Sequence, residues 1–365
     1  MAIYLWENKD LEAIKGHTYS GYIRRKWMAL LIIFIGMLFA AVLSLSLGSS
    51  NLPLLEVMRV LIGGGESASQ TIVLHVRLPR ILTAISVGIA LSMAGAVMQN
   101  VLRNPLASAS TLGISQGASF GAALAIVYVQ GAAGLGAASA AGWMHVNPYT
   151  VTVFAFLGGI STTALILLLS YRIGATPATM LLAGVAIGAM FTGALALVQY
   201  FADDVRIGSI VYWTFGNLGR TGFREIRILT VLNIIGFCYF FFHRLNYNAI
   251  EGGTMTAKSL GVNTDVLIPM SMIMATLVSA TAIAFVGTIG FIGLIAPHIA
   301  RKFVGNDYRF LIPSAALLGA TVMLFADMAS RMIRPPAVLP IGAITSFLGA
   351  PLFLYLILRK GTVVK

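Results

Sequence analysis

Three stretches of this 365-residue chain carry no Asp, Glu, Lys or Arg at all: residues 104–171, 266–300 and 335–358. An ordinary soluble domain is about 25% charged, whereas this chain is 10% charged and 58% hydrophobic, with a mean hydropathy of +0.90. Tracts of that length and composition belong in lipid, which excludes a soluble globule. The same composition is far too hydrophobic for disorder. The lone cysteine, Cys238, sits in an apolar run and offers neither a disulfide framework nor a redox centre.

A hydrocarbon core of about 30 Å needs about 20 helical residues at 1.5 Å each. On that measure the sequence predicts an all-α, polytopic membrane fold with spans near 27–47, 80–101, 112–130, 149–171, 178–201, 228–243, 267–286, 310–328 and 340–358. A tenth apolar piece, about 291–300, lies between Gly290 and Gly293 on one side and Arg301 and Lys302 on the other. It is too short to cross unaided and is expected as a half-length helix buried among the others. The chain thus divides into a polar N-terminal tail, 1–26, and one transmembrane domain, 27–360.

The net charge of +12 would suggest nucleic acid in a soluble protein, but no dense basic stripe with interleaved aromatics occurs, and most Lys and Arg flank apolar runs. The first 26 residues are polar and mixed in charge, so the first span is expected to be its own anchor rather than a cleaved signal. Arg24, Arg25 and Lys26 precede it and place the N-terminus in the cytoplasm. With ten passes the C-terminus is cytoplasmic too. The positive charges left outside are all arginines: Arg59, Arg77, Arg80, Arg206, Arg220, Arg224, Arg227, Arg331 and Arg334. Positive charge on the wrong side suggests an external use for it.

Glycines recur at helical spacing, as in Gly117 with Gly121 and Gly184 with Gly188, which lets helices approach closely in lipid. Between the sixth and seventh spans runs NYNAIEGGTMTAKSLGVNTD, 246–265, read as two short cytoplasmic helices broken at Gly252 and Gly253 and ended by Gly261, a surface for a partner protein. A plain solvated loop is the alternative. Gly252 to Ser259 differs from a P-loop by one residue, but a P-loop needs Gly before its Lys and a buried strand leading in. Asp327 is the one acidic residue inside a span, with Arg331 one turn on as an ion-pair partner. His298 has no second ligand at metal spacing. No GxSxG, HExxH or CxxC occurs, so catalysis has no candidate residues. Met93, Met98, Met180 and Met190 either fill core gaps or line a path for a bulky ligand.

Together these pieces resemble the FecCD family of permeases, the membrane subunits of ATP-binding-cassette (ABC) importers for iron-siderophore, haem and cobalamin. The resemblance runs from about residue 27 to 360, through VRLPRILTAISVGIALSMAGAVMQNVLRNPLA (76–107), LGISQGA (112–118), LLAGVAIG (181–188), YWTFGNLG (212–219), GTIGFIGLIAPHIAR (287–301), LFADMASR (324–331) and LPIGAITSFLGAPLFLYLI (339–357). It implies a type II importer permease of ten helices, paired as a homodimer, with two ATPase subunits below and a substrate-binding protein outside. It implies no cofactor on this chain, ATP and Mg belonging to the ATPases.

By the same resemblance, ATPase coupling falls on Thr254, Ala257, Lys258, Ser259, Leu260 and Gly261, and binding-protein docking on Arg77, Arg80, Arg331 and Arg334. Asn104, Pro105, Gly113, Gly117, Pro297, His298, Arg301 and Asp327 belong to the motifs that shape the pathway. With few charges available, substrate contact is expected to be weak and largely apolar. The sequence departs from the family at Thr254, where Glu is usual, at Ala109, where Pro is usual, and at Val338, where Glu is usual. The implied cargo is a metal chelate, iron-siderophore first, with haem or a corrinoid as alternatives and an ion-coupled carrier as the competing mechanism.

Overall fold

Backbone polar groups in lipid must be satisfied within their own segment, so apolar tracts like these can only be helical. A computed structural model describes residues 2–48, 52–129, 148–173 and 176–361, and no strand occurs among them. In chain order the helices are α1 (Ala2–Ser46), α2 (Leu54–Leu61), α3 (Ser67–Val101), α4 (Ile114–Val129), α5 (Pro148–Ile173), α6 (Pro177–Tyr200) and α7 (Asp204–Thr214). There follow α8 (Phe223–Phe242), α9 (Arg244–Glu251), α10 (Thr254–Ser259), α11 (Thr264–Val286), α12 (Ile292–Val304), α13 (Tyr308–Met332) and α14 (Ile341–Gly361).

Among the described residues seven helices are long and apolar enough to cross a membrane: α1, α3, α5, α6, α8, α11 and α13. The protein is a multi-pass membrane protein. The half-length helix expected at 291–300 is α12, 13 residues long. One tract expected as a full span is shorter among the described residues. α4 starts only after Gly113, whose φ of 79° breaks the chain, and ends in a π-helical turn at Ala125–Val129. α14 runs 21 residues from Ile341 to Gly361 and covers the tract expected at 340–358.

Three elements escape a hydropathy window. α2 is short. α3 extends outward from residue 78 to Ser67 through a π-helical stretch, Thr71–Arg77, in a region that reads as a loop. α7 mixes Asp204 and Arg206 with apolar residues and is 11 residues long. Its start is legible in another way, because the Asp203 carboxylate accepts from the Arg206 backbone N–H at 2.9 Å as an N-cap. The N-terminal tail is helical and continuous with the first span.

Burial sorts the spans. In α3 the apolar window is 83% buried, and in α13 and α11 67% and 61%, against 28% in α1, α5, α6 and α8. The first three form the core. The others turn most of their apolar surface outward, to lipid or to another subunit. Small residues set the close contacts: a Cβ on Gly117 would fall on the backbone of Gly158 in α5, so no larger residue fits without parting the two helices. Met93, Met98 and Met180 are buried core residues, whereas Met190 is exposed.

Candidate functional sites at the two ends of the bundle

At the end of the bundle expected to face the cytoplasm, the glycine pattern of 246–265 produces two short helices. α9 ends at Gly252, Gly253 takes a φ of 116° that favours glycine, and α10 begins at Thr254. Ala257 is fully buried and seats α10, while Leu260 and Met255 stand 68% and 78% exposed. Gly261 ends the pair at φ 84° with open space around it. Lys258 Nζ meets Asp265 Oδ2 at 2.9 Å, a solvated pair worth about 0–1 kcal/mol. Ser259 donates to the Thr256 carbonyl at 2.8 Å. Met255, which the sequence motifs do not single out, thus joins Leu260 as a second large apolar side chain that the described residues leave exposed.

The inner side of α9 is fastened to three core helices. Asn100 Nδ2, at the end of α3, donates to the Tyr247 carbonyl at 3.1 Å and to Glu251 at 3.3 Å. The Tyr247 hydroxyl bonds Ser271 of α11 at 2.8 Å. Asn248 accepts from the Tyr308 N–H at 2.8 Å and donates to Asp307 at 3.1 Å, at the start of α13. Burial pushes the Asp307 carboxyl up, but donors from Arg309 and Asn248 outweigh it and hold it at about 2. Motion of α9 must therefore carry the ends of α3, α11 and α13 with it.

Beside this network lies a polar cavity of about 300 Å³ lined by Asn104, Pro105, Glu251, His298 and Arg301 among others. The Asn104 side chain accepts from the Leu106 N–H at 2.8 Å and shapes the turn after α3. Arg301 Nη1 donates to Gln99 Oε1 at 2.5 Å, tying α12 to α3. His298 faces the edge of Phe353, with ring centroids 6.4 Å apart, one residue after the buried Pro297. Among the described residues no group of His, Cys, Asp and Glu could hold a metal.

At the opposite end, the one expected to face outside, the expected pair of Asp327 and Arg331 exists, with a third member. Asp327 is fully buried and accepts from Arg331 Nε at 2.9 Å and from Arg80 Nε at 2.7 Å. Arg77 Nη1 donates to the Leu45 carbonyl at 2.5 Å and the Ser46 carbonyl at 2.9 Å. Arg331 donates to the Leu47 carbonyl at 2.7 Å and to Ser44 Oγ at 2.7 Å. The last carbonyls of a helix lack intrahelical partners and carry partial negative charge. Arg77 and Arg331 supply both needs at the end of α1. Both are buried, at 5% and 9% exposure, and the Arg80 side chain is 13% exposed, so of the four arginines expected to dock a partner only Arg334 stands exposed. The sequence could place these residues at the mouth; it could not tell that their heads turn inward.

Between the two ends, several interrupted elements converge. α7 ends at Thr214, α11 gives way to α12 across Gly287–Phe291, and α14 begins at Ile341. Gly342 N–H donates to the Phe215 carbonyl at 3.0 Å, and Asn217 N–H to the Val286 carbonyl at 2.7 Å. Thr288 Oγ1 donates to the Thr214 carbonyl at 2.5 Å. These bonds satisfy backbone groups that broken helices would otherwise leave bare in lipid.

The relationships of the chain agree with this architecture. The model of the FecCD transport family matches residues 30–359. A putative ABC transporter permease protein of Methanocaldococcus jannaschii is 47% identical over 342 residues, 93% of this chain and 97% of that protein. The hemin transport system permease protein HmuU of Yersinia pestis is 35% identical, over 90% of this chain and 96% of its own length. A solved structure described as an inward-facing conformation of a putative metal-chelate type ABC transporter superposes with a TM-score of 0.77 at 29% identity, covering 90% of this chain and 98% of that one. With broken helices meeting inside a glycine-packed bundle and a family match across nearly the whole transmembrane domain, the chain belongs to the FecCD transport family.

Proposed function

We propose that the protein is the permease subunit of an ABC importer that moves a metal chelate inward across the cytoplasmic membrane, iron-siderophore first. A haem cargo is the second reading, favoured by the relative named for hemin transport; a corrinoid is the third. Two copies form the pathway, with both termini in the cytoplasm. This chain performs no covalent chemistry: two ATPase subunits carry ATP and Mg, and an external binding protein delivers the ligand.

The observation that carries this reading is the α9–α10 pair. Its outer side offers Met255 and Leu260 to a partner, and its inner side is hydrogen-bonded to α3, α11 and α13. A push on that surface reaches helices that run the depth of the bundle, which is what mechanical coupling requires. Outside, Arg334, with the exposed Arg59, Arg224 and Arg227, is available to carboxylates of the binding protein. Arg77, Arg80 and Arg331 brace the mouth from within.

The test is reconstitution in proteoliposomes. Uptake of labelled chelate should require the ATPase, ATP and the binding protein, and should survive collapse of ion gradients. Uptake by the permease alone, abolished when the gradient collapses, would instead establish an ion-coupled carrier.

A further inference from the structure

At the end of the bundle expected to face outside, α7 and the turn Leu218–Arg220 roof a cavity of about 550 Å³. Its depth follows from its lining. Tyr149, Val151 and Thr152 begin α5, Glu225 lies in the first turn of α8, and Ala284 and Phe285 close α11. The cavity therefore lies where three spans leave the apolar core, at the level of lipid headgroups. Its tyrosines, Tyr149 and Tyr212, suit that level, where aromatic rings with a polar tip are enriched.

The lining joins an apolar body to one unmatched cation. Arg220 stands at the rim with its Cζ 5.3 Å from the centre of the Tyr212 ring. Partial burial lowers its pKa from the ordinary arginine value, as expected of a cation short of water. No carboxylate answers it. The acidic residues beyond the N-terminal tail all lie among the described residues, and none forms an ion pair with Arg220. Glu7, Asp10 and Glu12 of the tail precede the first span and belong to the opposite end of the bundle. Glu225, the one carboxylate of the lining, accepts from the Tyr149 hydroxyl at 2.5 Å and from the Gly222 N–H at 2.7 Å, and Arg224 stands beside it, 5.3 Å from the centre of the Tyr149 ring. The Tyr212 hydroxyl accepts from Asn217 Nδ2 at 3.0 Å, which leaves its own O–H to donate.

We infer that this cavity binds a phospholipid with an anionic headgroup, its phosphate on Arg220 and its acyl chains along α5 and α8, in the leaflet at that end of the bundle. Charge complementarity selects the headgroup, because a partly desolvated guanidinium gains most from an oxyanion with several acceptor oxygens. The apolar remainder selects a lipid over a free anion: Ile126, Val151, Val205, Trp213 and Phe285 offer a small ion nothing. One and two turns further along the spans, Val153 and Leu157 of α5 and Ile228 and Val231 of α8 are exposed and continue the apolar surface. A lipid here also gives α7 a packing partner where the chain leaves room, since a Cβ on Gly208 would meet nothing within 4 Å. The site does not depend on which cargo crosses the bundle.

The experiment is native mass spectrometry of the full permease with its ATPase subunits in detergent, titrated with phosphatidylglycerol and with zwitterionic phosphatidylcholine. One phosphatidylglycerol per permease should be retained about tenfold better, the worth of a charge-assisted hydrogen bond. Arg220→Gln should erase that preference, and Gly208→Leu, whose added atoms enter the open space, should weaken both lipids. Arg227→Gln, at an exposed position outside the lining, should change neither. All three variants should melt as the wild type does in lipid-free detergent. Equal retention of the two lipids overturns the inference, as does an undiminished preference in Arg220→Gln or undiminished binding in Gly208→Leu. Displacement of the lipid by millimolar inorganic phosphate would assign the cavity to a small anion, and displacement by the external binding protein would assign it to a carboxylate of that protein; either result overturns the lipid site.

Discussion

Asp327 serves two guanidinium groups with one carboxylate, and its removal would leave two buried cations without an anion. Breaking a buried ion pair from one side costs about 3–5 kcal/mol. Asp327→Asn should therefore lower thermal stability in detergent by about that amount, whereas Arg334→Gln, at an exposed position, should stay within about 0.5 kcal/mol. Asp307 makes a pH prediction. Its pKa falls from 3.8 to about 2 on folding, so its contribution is fully present above about pH 4 and is lost as pH drops toward 2. Melting of the wild type should steepen its pH dependence across that acid window, and Asp307→Asn should flatten it. At neutral pH the group is ionised and senses nothing.

Helices carry the next set of consequences. Leu260 is mostly exposed on α10 while Ala257 beneath it is buried, so Leu260→Asp should leave melting unchanged yet abolish co-purification with the ATPase subunits. Ala257→Asp would damage the seat itself and cannot separate the two effects. Gly117→Leu should part α4 from α5 and cost about 1–3 kcal/mol, read from the melting midpoint, because the added atoms meet the Gly158 backbone, which cannot swing away, as well as the Thr162 hydroxyl. The sequence located the spans and the glycine-punctuated pair α9–α10, since lipid imposes length and glycine imposes breaks. It missed α2, α7 and the outer turns of α3, where polar and apolar residues alternate in segments too short for a bilayer criterion. It identified the arginines of the mouth as a group but not their direction, which depends on where α1 ends, a contact 284 residues apart in sequence for Arg331 and Leu47.

At the scale of the molecule the two ends are built for different tasks. The end expected outside is locked: three arginines and one aspartate bind α1, α3 and α13 together. The opposite end carries the α9–α10 pair, the surface proposed above as a lever, with Met255 and Leu260 exposed and its underside bonded to three core helices. Between them lies a cavity without formal charge, framed by helix ends rather than by continuous walls. On the proposed coupling, small changes at that surface would reach the cavity through rigid, glycine-packed elements, which re-pack as units instead of deforming smoothly.

The account depends on α9 and α10 facing the cytosol. A single cysteine placed by Ser259→Cys in a Cys238→Ala background tests this in oriented vesicles with a membrane-impermeant maleimide. Labelling should occur only when the reagent is on the cytosolic side, and bound ATPase subunits should suppress it. Labelling from the external side would contradict the account.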